Sequence, residues 1–250
     1  MSRIFSALAA VALALLVTNI VIGLSFGDYN GMTLRWLALT RDVREADLRE
    51  RQSRGEVDAV NLTNESLAEA RSELAELDPA FKWASSWKNF HFMFGVFAGL
   101  VTLLVNAVAV TYFIGTSRWC REVVDAYGID DSPADESVRL KRRTFPWAVT
   151  GMLTMVAIAA LGAASDPTGS VPNSQNWVMV HRIVAIVGTA IIGWAFWNQA
   201  HNVKTNHGLI ELILADVRRV RRDRGMEDLA NDHPSALSDV AANAAERTVS

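Results

Sequence analysis

Cysteine is almost missing from this chain. A single thiol, Cys120, in 250 residues leaves no internal disulfide. Without a CxxC pair, no thiolate metal or iron–sulfur site can be assembled. Carboxylates are nearly absent from the long apolar stretches, which disfavours a proton-coupled transporter. Broken helices and inverted halves are likewise not evident. There is no HExxH, phosphate-cradling glycine loop, nucleophile–base arrangement or paired-carboxylate signal. Charge of one sign is scarce too: the net value is −3. The basic residues fall in short clusters beside apolar blocks, as orientation signals do, and no nucleic-acid partner is expected.

What is abundant is apolar sequence, half of all positions. It is concentrated in Ile4–Phe26, Phe90–Ile114, Trp147–Ala164 and Trp177–Trp197. Each block is about long enough to span hydrocarbon as a helix. The expected fold class is all-α: an integral membrane four-helix bundle, with an extramembrane helical segment between the first and second transmembrane helices. The expected boundaries are a first transmembrane helix at 1–26, an outer helical segment at 27–88 and a second transmembrane helix at 89–115. A cytoplasmic loop at 116–145, a third transmembrane helix at 146–164 and an outer loop at 165–176 follow. A fourth transmembrane helix at 177–199, a cytoplasmic helical extension at 200–225 and a flexible tail at 226–250 complete the chain. The first block follows Arg3 but exceeds a signal-peptide core, and no A-x-A site comes after it, so it reads as a retained helix.

Lys and Arg set the orientation. The loop between blocks two and three carries Arg118, Arg121, Arg139, Lys141, Arg142 and Arg143, whereas Ser165–Asn176 carries none. More follow block four, from Lys204 to Arg224. This asymmetry puts both termini in the cytoplasm, in what reads as a bacterial inner membrane. Outside, Val60, Leu67 and Leu74 recur every seven residues with Ala70 and Leu77 between them, an a/d helical stripe that Asp78-Pro79 is expected to close. Arg41–Arg54 is also helix-like, and Ser53-Arg54-Gly55 is a plausible break. The segment reads as a helical hairpin that caps the bundle or pairs with another subunit. Trp83, Trp87 and Trp177 mark a membrane boundary. Within the second loop, Ser132-Pro133 offers an N-cap with proline at the first helical position. Pro146 is expected to end or kink the helix before the third span, and Gly225 to cap the last one.

Two histidines carry the functional signal. His91 is three residues beyond Lys88 and His181 four beyond Trp177. At about 1.5 Å per residue both lie within the first turn or two of the outer leaflet, on helices that run the same way and can stand diagonally in an up-down bundle. Helical spacing from His91 leads to Gly95, Ala98, Gly99, Thr102 and Asn106. From His181 it leads to Ala185, Gly188, Thr189 and Ile192. The positions at +4, +7 and +8 are small in both helices, while Phe92, Phe94, Phe97, Ile183, Ile186 and Ile191 mostly occupy other faces. A flat macrocycle ligated by histidine needs a helix without bulk beside the ligand, and haem iron takes imidazole axially. Arg182 and Lys88 stand at the right edge for its propionates. Two other readings stay open. Small residues at four-residue spacing also serve plain helix packing, with structural histidines and Arg182 paired to Asp166. The histidines can instead handle protons or quinone without bound haem. His201 and His207 read as interfacial, and Asn106 as a bond to another helix.

This plan resembles the four-helix, bis-histidine membrane cytochromes b, and in particular one four-helix half of haem A synthase. The run His181-Arg182-Ile-Val-Ala185 looks like the His-Arg-x-x-Ala run of that family. By position, the resemblance implies that His91 and His181 are the axial ligands of one haem b near the outer face. Arg182, Gly95, Gly99, Ala185 and Gly188 would surround it. The implied function is electron transfer, linked to a quinone, alone or as a subunit with other membrane proteins or further copies of the chain. The competing class is a non-catalytic scaffold or accessory subunit of a larger complex.

Overall fold

The computed structural model describes residues 2–25, 27–52, 57–169 and 171–226, with side chains except at 50–52 and 57–66. Among these residues there are five helices: α1 (Ser2–Leu24), α2 (Tyr29–Gln52), α3 (Val57–Tyr127), α4 (Ser132–Ala164) and α5 (Gln175–Asp223). All except α2 are long and apolar enough to cross a membrane. The protein is an all-α membrane protein whose spanning helices form a four-helix bundle. The break expected at Ser53-Arg54-Gly55 and the tail from 227 lie outside the described residues.

The chain divides into two compact units. The larger comprises Ser6–Ala107 and Trp147–Trp197 and contains the hairpin as well as the bundle. Asp28 opens α2 by accepting the Gly31 N–H on Oδ1 at 2.9 Å. Helix α2 then lies antiparallel to the first part of α3. Arg35 pairs with Glu73 and Arg71 with Asp47, and the Trp36 and Phe81 rings stack at 4.4 Å between centroids. The expected stripe is present from Leu67 on: Leu67 is buried, and Ala70, Leu74 and Leu77 are half-buried, while the side chain of Val60 lies outside those described. Its expected end is not. Pro79 sits inside α3, which continues unbroken into the membrane span. Proline removes one backbone donor, but the residues on either side of it are held by α2 through Trp36–Phe81 and the Trp36 Nε1 bond to Asp78 Oδ1 at 3.4 Å. Tertiary anchoring outweighs the lost bond.

Within the bundle part, α1 buries Ala9, Ala12 and Leu16, α3 buries Ala98, Thr102, Val105 and Asn106, and α5 buries Thr189, Ile192, Ala195 and Phe196. The bulky residues beside the histidines face outward: Phe92, Phe97, Ile183, Ile186 and Ile191 are exposed. That is the arrangement a bundle in lipid requires, since burying them gains nothing over hydrocarbon contact.

The smaller unit contains Val108–Pro146 and the chain from Asn198. The expected loop at 116–145 is mostly helix, interrupted only by the turn at 128–131. Gly128 adopts φ 64°, and the N–H groups of Gly128 and Ile129 both donate to the Val124 carbonyl, which ends α3. Asp131 supplies the first helical acceptor of α4, to Asp135 N–H at 3.0 Å, one residue earlier than Ser132-Pro133 suggests. Pro146 neither ends nor interrupts α4. The carbonyl it deprives of a partner belongs to Arg142, an exposed residue, where water can take the place of the missing donor. Cys120, Val124, Ala134 and Ile213 form the apolar centre. Beside it Asn206 is buried and fully engaged. Its Oδ1 accepts from Ser137 at 2.7 Å, and its Nδ2 donates to Tyr112 and Thr116 at 3.1 and 3.0 Å. Gly225, at φ 66°, closes α5 with bonds to Arg222 and, through Met226, to Arg221, as the sequence implies. His201 is exposed and His207 faces Glu211 at 3.4 Å, an ordinary surface pair.

Candidate functional site

The site begins with two imidazoles seated in the same way on two different helices. His91 of α3 lies against Gly23 of α1, so closely that a Cβ on Gly23 would stand 2.8 Å from His91 Cε1. One turn earlier on α1, the Asn19 carbonyl accepts a hydrogen bond from the same ring. His181 of α5 repeats the arrangement on α4. A Cβ on Gly162 would stand 3.1 Å from its Cε1, and the carbonyl one turn earlier, that of Ile158, accepts from the ring. Glycine makes both seats possible, because without a Cβ the ring reaches the backbone of the neighbouring helix.

These contacts pair the helices. Near the hairpin, α1 closes on α3 through Gly23–His91 and through Asn19, whose Nδ2 would be 2.8 Å from a Cβ on Gly95. In the same way α4 closes on α5 through Gly162–His181 and through Ile158 and Thr154, which would be 2.8 and 2.9 Å from a Cβ on Gly188. The apolar contacts that join the pairs to each other lie deeper in the bundle. There Met155 Cε would be 3.0 Å from a Cβ on Gly99, Asn106 Oδ1 would be 3.0 Å from one on Gly151, and Leu13 packs over Gly193. Between the pairs, above Met155, lies a slot of about 1030 Å³ lined by both histidines. With α1 and α4 each touching both α3 and α5, the histidine-bearing helices stand at diagonal corners.

The mouth of the slot is polar. Lys88 Nζ meets Asp166 Oδ2 at 3.0 Å and lies 5.9 Å from the Tyr29 ring centre. Asn30 Nδ2 donates to the Ser165 carbonyl at 3.0 Å. Burial pushes the Asp166 carboxyl up, but hydrogen bonds from the Thr168 hydroxyl and N–H and from Lys88, with the charge of Lys88, together hold it below the ordinary carboxylate range. The pairing of Asp166 with Arg182 that the sequence allows is not made. Lys88 takes the carboxylate, and Arg182 lines the slot half-buried with no ion-pair partner among the described residues.

Of the residues singled out in the sequence, His91, His181, Arg182, Gly95, Gly99 and Ala185 all line the slot. Gly188 does not: it is buried beneath Ile158 and Thr154. Gly95 and Gly99 are contact points for Asn19 and Met155 as well as wall residues. Sequence reasoning missed the partners on α1 and α4, namely Asn19, Gly23, Met155 and Gly162. The signal for Gly23 was an amide and a glycine four apart in an otherwise apolar helix, and intramembrane polar residues merit a functional reading. Asn106 bonds within its own helix, to the Thr102 carbonyl at 2.9 Å, while packing on Gly151.

The halves of the bundle also correspond. Adding 90 to a residue number carries His91 to His181, and with it the buried positions 98, 99, 102, 105 and 106 to the buried positions 188, 189, 192, 195 and 196. Adding 139 carries Gly23 to Gly162, and the buried positions 9, 12 and 16 to the buried positions 148, 151 and 155. Asn19 is carried to Ile158, so the two walls of the slot differ at that point. Comparison with known protein families, with curated proteins and with solved structures finds no match for the chain.

Proposed function

We propose that the slot holds one haem b between His91 and His181, and that the protein carries electrons near the hairpin end of the bundle in exchange with a membrane quinone pool. The membrane is a bacterial inner membrane, with both termini on its cytoplasmic side and the hairpin outside, as the Lys and Arg distribution argues. The protein serves alone or as a subunit of a larger membrane complex.

The observation that supports this reading is a slot walled by two helix pairs and lined by one imidazole from each. Two neutral imidazoles are a donor set that haem iron accepts. Among the described residues no cluster of three or more His, Cys, Asp and Glu gathers, and the reading rests on the two imidazoles alone. Axial imidazoles need their second nitrogen held to fix the plane of the ring, and the Asn19 and Ile158 carbonyls suit that task. On His181, Nδ1 is buried and has no hydrogen-bond partner among the described residues. Arg182 and Lys88 suit the propionates at the mouth. A haem held in this way supplies a one-electron carrier; the chain orients it, keeps water out and compensates its charges.

The test is a visible spectrum of the purified full chain. Reducible haem bands that vanish in His91→Ala and in His181→Ala are the expected result. A colourless protein that assembles normally in both variants overturns the reading in favour of a scaffold with structural histidines. The filling of Gly95, Gly99 and Gly188 by Asn19, Met155 and Ile158 is the observation that favours that second reading.

A further inference from the structure

The cations of the smaller unit are not equivalent. Several are neutralised in place: Arg118 pairs with Glu122, Arg139 with Glu136 and Arg219 with Asp216. Arg121 shares a surface hollow with Asp125, Asp131 and Asp135. By contrast, Lys141, Arg142, Arg143 and Lys204 have no ion-pair partner among the described residues. An orientation signal acts through the count of charges alone. Four cations left without a carboxylate still attract counter-charge in the folded protein.

These four also share one level. Asn202 donates to Thr144 at 2.9 Å, and Ser137 donates to Asn206 at 2.7 Å. Lys204, between those two positions on α5, is therefore level with 141–143, between the matching positions on α4. The apolar run of α4 begins at Trp147, four residues past Arg143, about 6 Å along the helix. The headgroup layer on each side of a bilayer is roughly 5–8 Å deep, so the cluster stands at phosphate depth. Arg218 and Arg222 also lack ion-pair partners among the described residues, but Arg218 is fourteen residues beyond Lys204, about 21 Å farther along α5. On α4 the exposed residues Arg139, Arg142 and Arg143 stand three and four apart on one face, while Leu140 and Thr144 are buried.

We infer that this end of the bundle binds an anionic phospholipid, its phosphodiester held by the Arg142 and Arg143 guanidinium groups on the exposed face of α4. A guanidinium fork matches the paired oxygens of a phosphate, and Lys141 and Lys204 add to the attraction at the same depth. A zwitterionic lipid brings its own ammonium to the cluster and is held less tightly. The inference concerns the membrane boundary and is independent of what the slot holds.

The test titrates the full chain, in a neutral detergent, with dioleoyl phosphatidylglycerol or with dioleoyl phosphatidylcholine. Native mass spectrometry reads the bound fraction at each concentration. Phosphatidylglycerol should bind saturably and about tenfold to thirtyfold tighter than phosphatidylcholine, the effect of two cations near a lipid phosphate. The preference should vanish in Arg142→Gln/Arg143→Gln. It should persist in Arg218→Gln/Arg222→Gln, which removes the same charge farther from the span. Equal binding of the two lipids by wild type overturns the inference, as does wild-type affinity for phosphatidylglycerol in the first double variant. An equal loss in both double variants overturns it too, because diffuse charge would then suffice. Should losing two cations disturb insertion, the single variants Arg142→Gln and Arg143→Gln carry the same test. Each is expected to weaken phosphatidylglycerol about threefold to fivefold, and unchanged affinity in both refutes the site.

Discussion

Replacing the two seat glycines by alanine separates a close contact from a tolerable one. At Gly23 a Cβ would stand 2.8 Å from His91 Cε1 and 3.3 Å from both ring nitrogens, so the ring has to move. Moving it strains the bond to the Asn19 carbonyl, worth about 0.5–1.5 kcal/mol, and overpacking itself costs about 1–3 kcal/mol. Against this stands up to about 1 kcal/mol gained from replacing glycine inside a helix. Gly23→Ala is therefore destabilising by roughly 1–2 kcal/mol. At Gly162 the nearest atom, His181 Cε1, would be 3.1 Å away and the nitrogens 3.5 and 3.6 Å. A shift of a few tenths of an ångström relieves that overlap, and Gly162→Ala should stay within about 0.5 kcal/mol of wild type as the helix gain offsets the strain. Denaturant titration in mixed micelles measures both. An order reversed between the two variants, or two variants indistinguishable from wild type, would refute the claim that the rings are seated on these glycines.

Three further outcomes follow from other parts of the molecule. The Asp166 carboxyl is held below its ordinary range, so its contribution to stability is present above the unfolded value of about 3.9 and is lost as pH falls through the lowered folded value. Thermal scans between pH 5 and pH 3 should show wild type losing more stability than Asp166→Asn; parallel curves would sink this assignment. In the smaller unit, Asn206→Leu strips partners from Ser137, Tyr112 and Thr116 at once and should destabilise by about 1–3 kcal/mol, whereas an unchanged unfolding midpoint would show that the network contributes nothing. Trp36→Ala removes the stack on Phe81 and the bond to Asp78, and limited proteolysis should then cut α2 faster while the spanning helices stay protected. Equal cleavage rates would mean that other contacts hold the hairpin.

Length and hydropathy were enough to read the four spanning helices, because no other structure satisfies the backbone in lipid. Gly225 was legible as a helix stop for a similarly local reason, the left-handed backbone that a C-cap needs, whereas Gly128, which ends α3 in the same way, lay in what reads as a loop. The prolines misled. Pro79 and Pro146 look like boundaries when only the chain around them is considered, yet neighbouring contacts at the first and exposed backbone at the second let the helix run through. The histidines were legible too, being expensive groups in apolar runs. Their seats were not. Gly23 and Gly162 belong to helices whose packing partner no local pattern names, and the small residues that were visible beside each histidine turned out to receive Asn19, Met155 and Ile158 as well as to wall the slot.

The correspondence between the halves bears on why the histidines match in depth. Helical periodicity alone puts the five buried positions that follow each histidine on one face, and the same holds for the three that precede each seat on α1 and α4. What it does not set is a histidine at the same point of α3 and α5, each seated on a glycine of its neighbour. The bundle therefore behaves as two similar helix pairs set face to face, and any group placed on the face of one pair acquires a counterpart across the slot. Such an arrangement yields a symmetric site without further design. Function then resides where the symmetry is broken. Asn19 opposite Ile158 gives one wall an amide and leaves the other apolar, and Arg182 corresponds to Phe92, which places a cation on one side of the mouth and an aromatic ring on the other. An occupant that is itself lopsided, with polar groups along one edge, fits such a slot in one orientation only. Ile158→Asn equalises the walls at that level, and the orientation preference should fall while the seat of His181, made by the backbone, persists. Methyl resonances of the haem proposed for the slot report that preference as one set of signals in wild type and two in the variant; a single set in both would show that the asymmetry lies elsewhere.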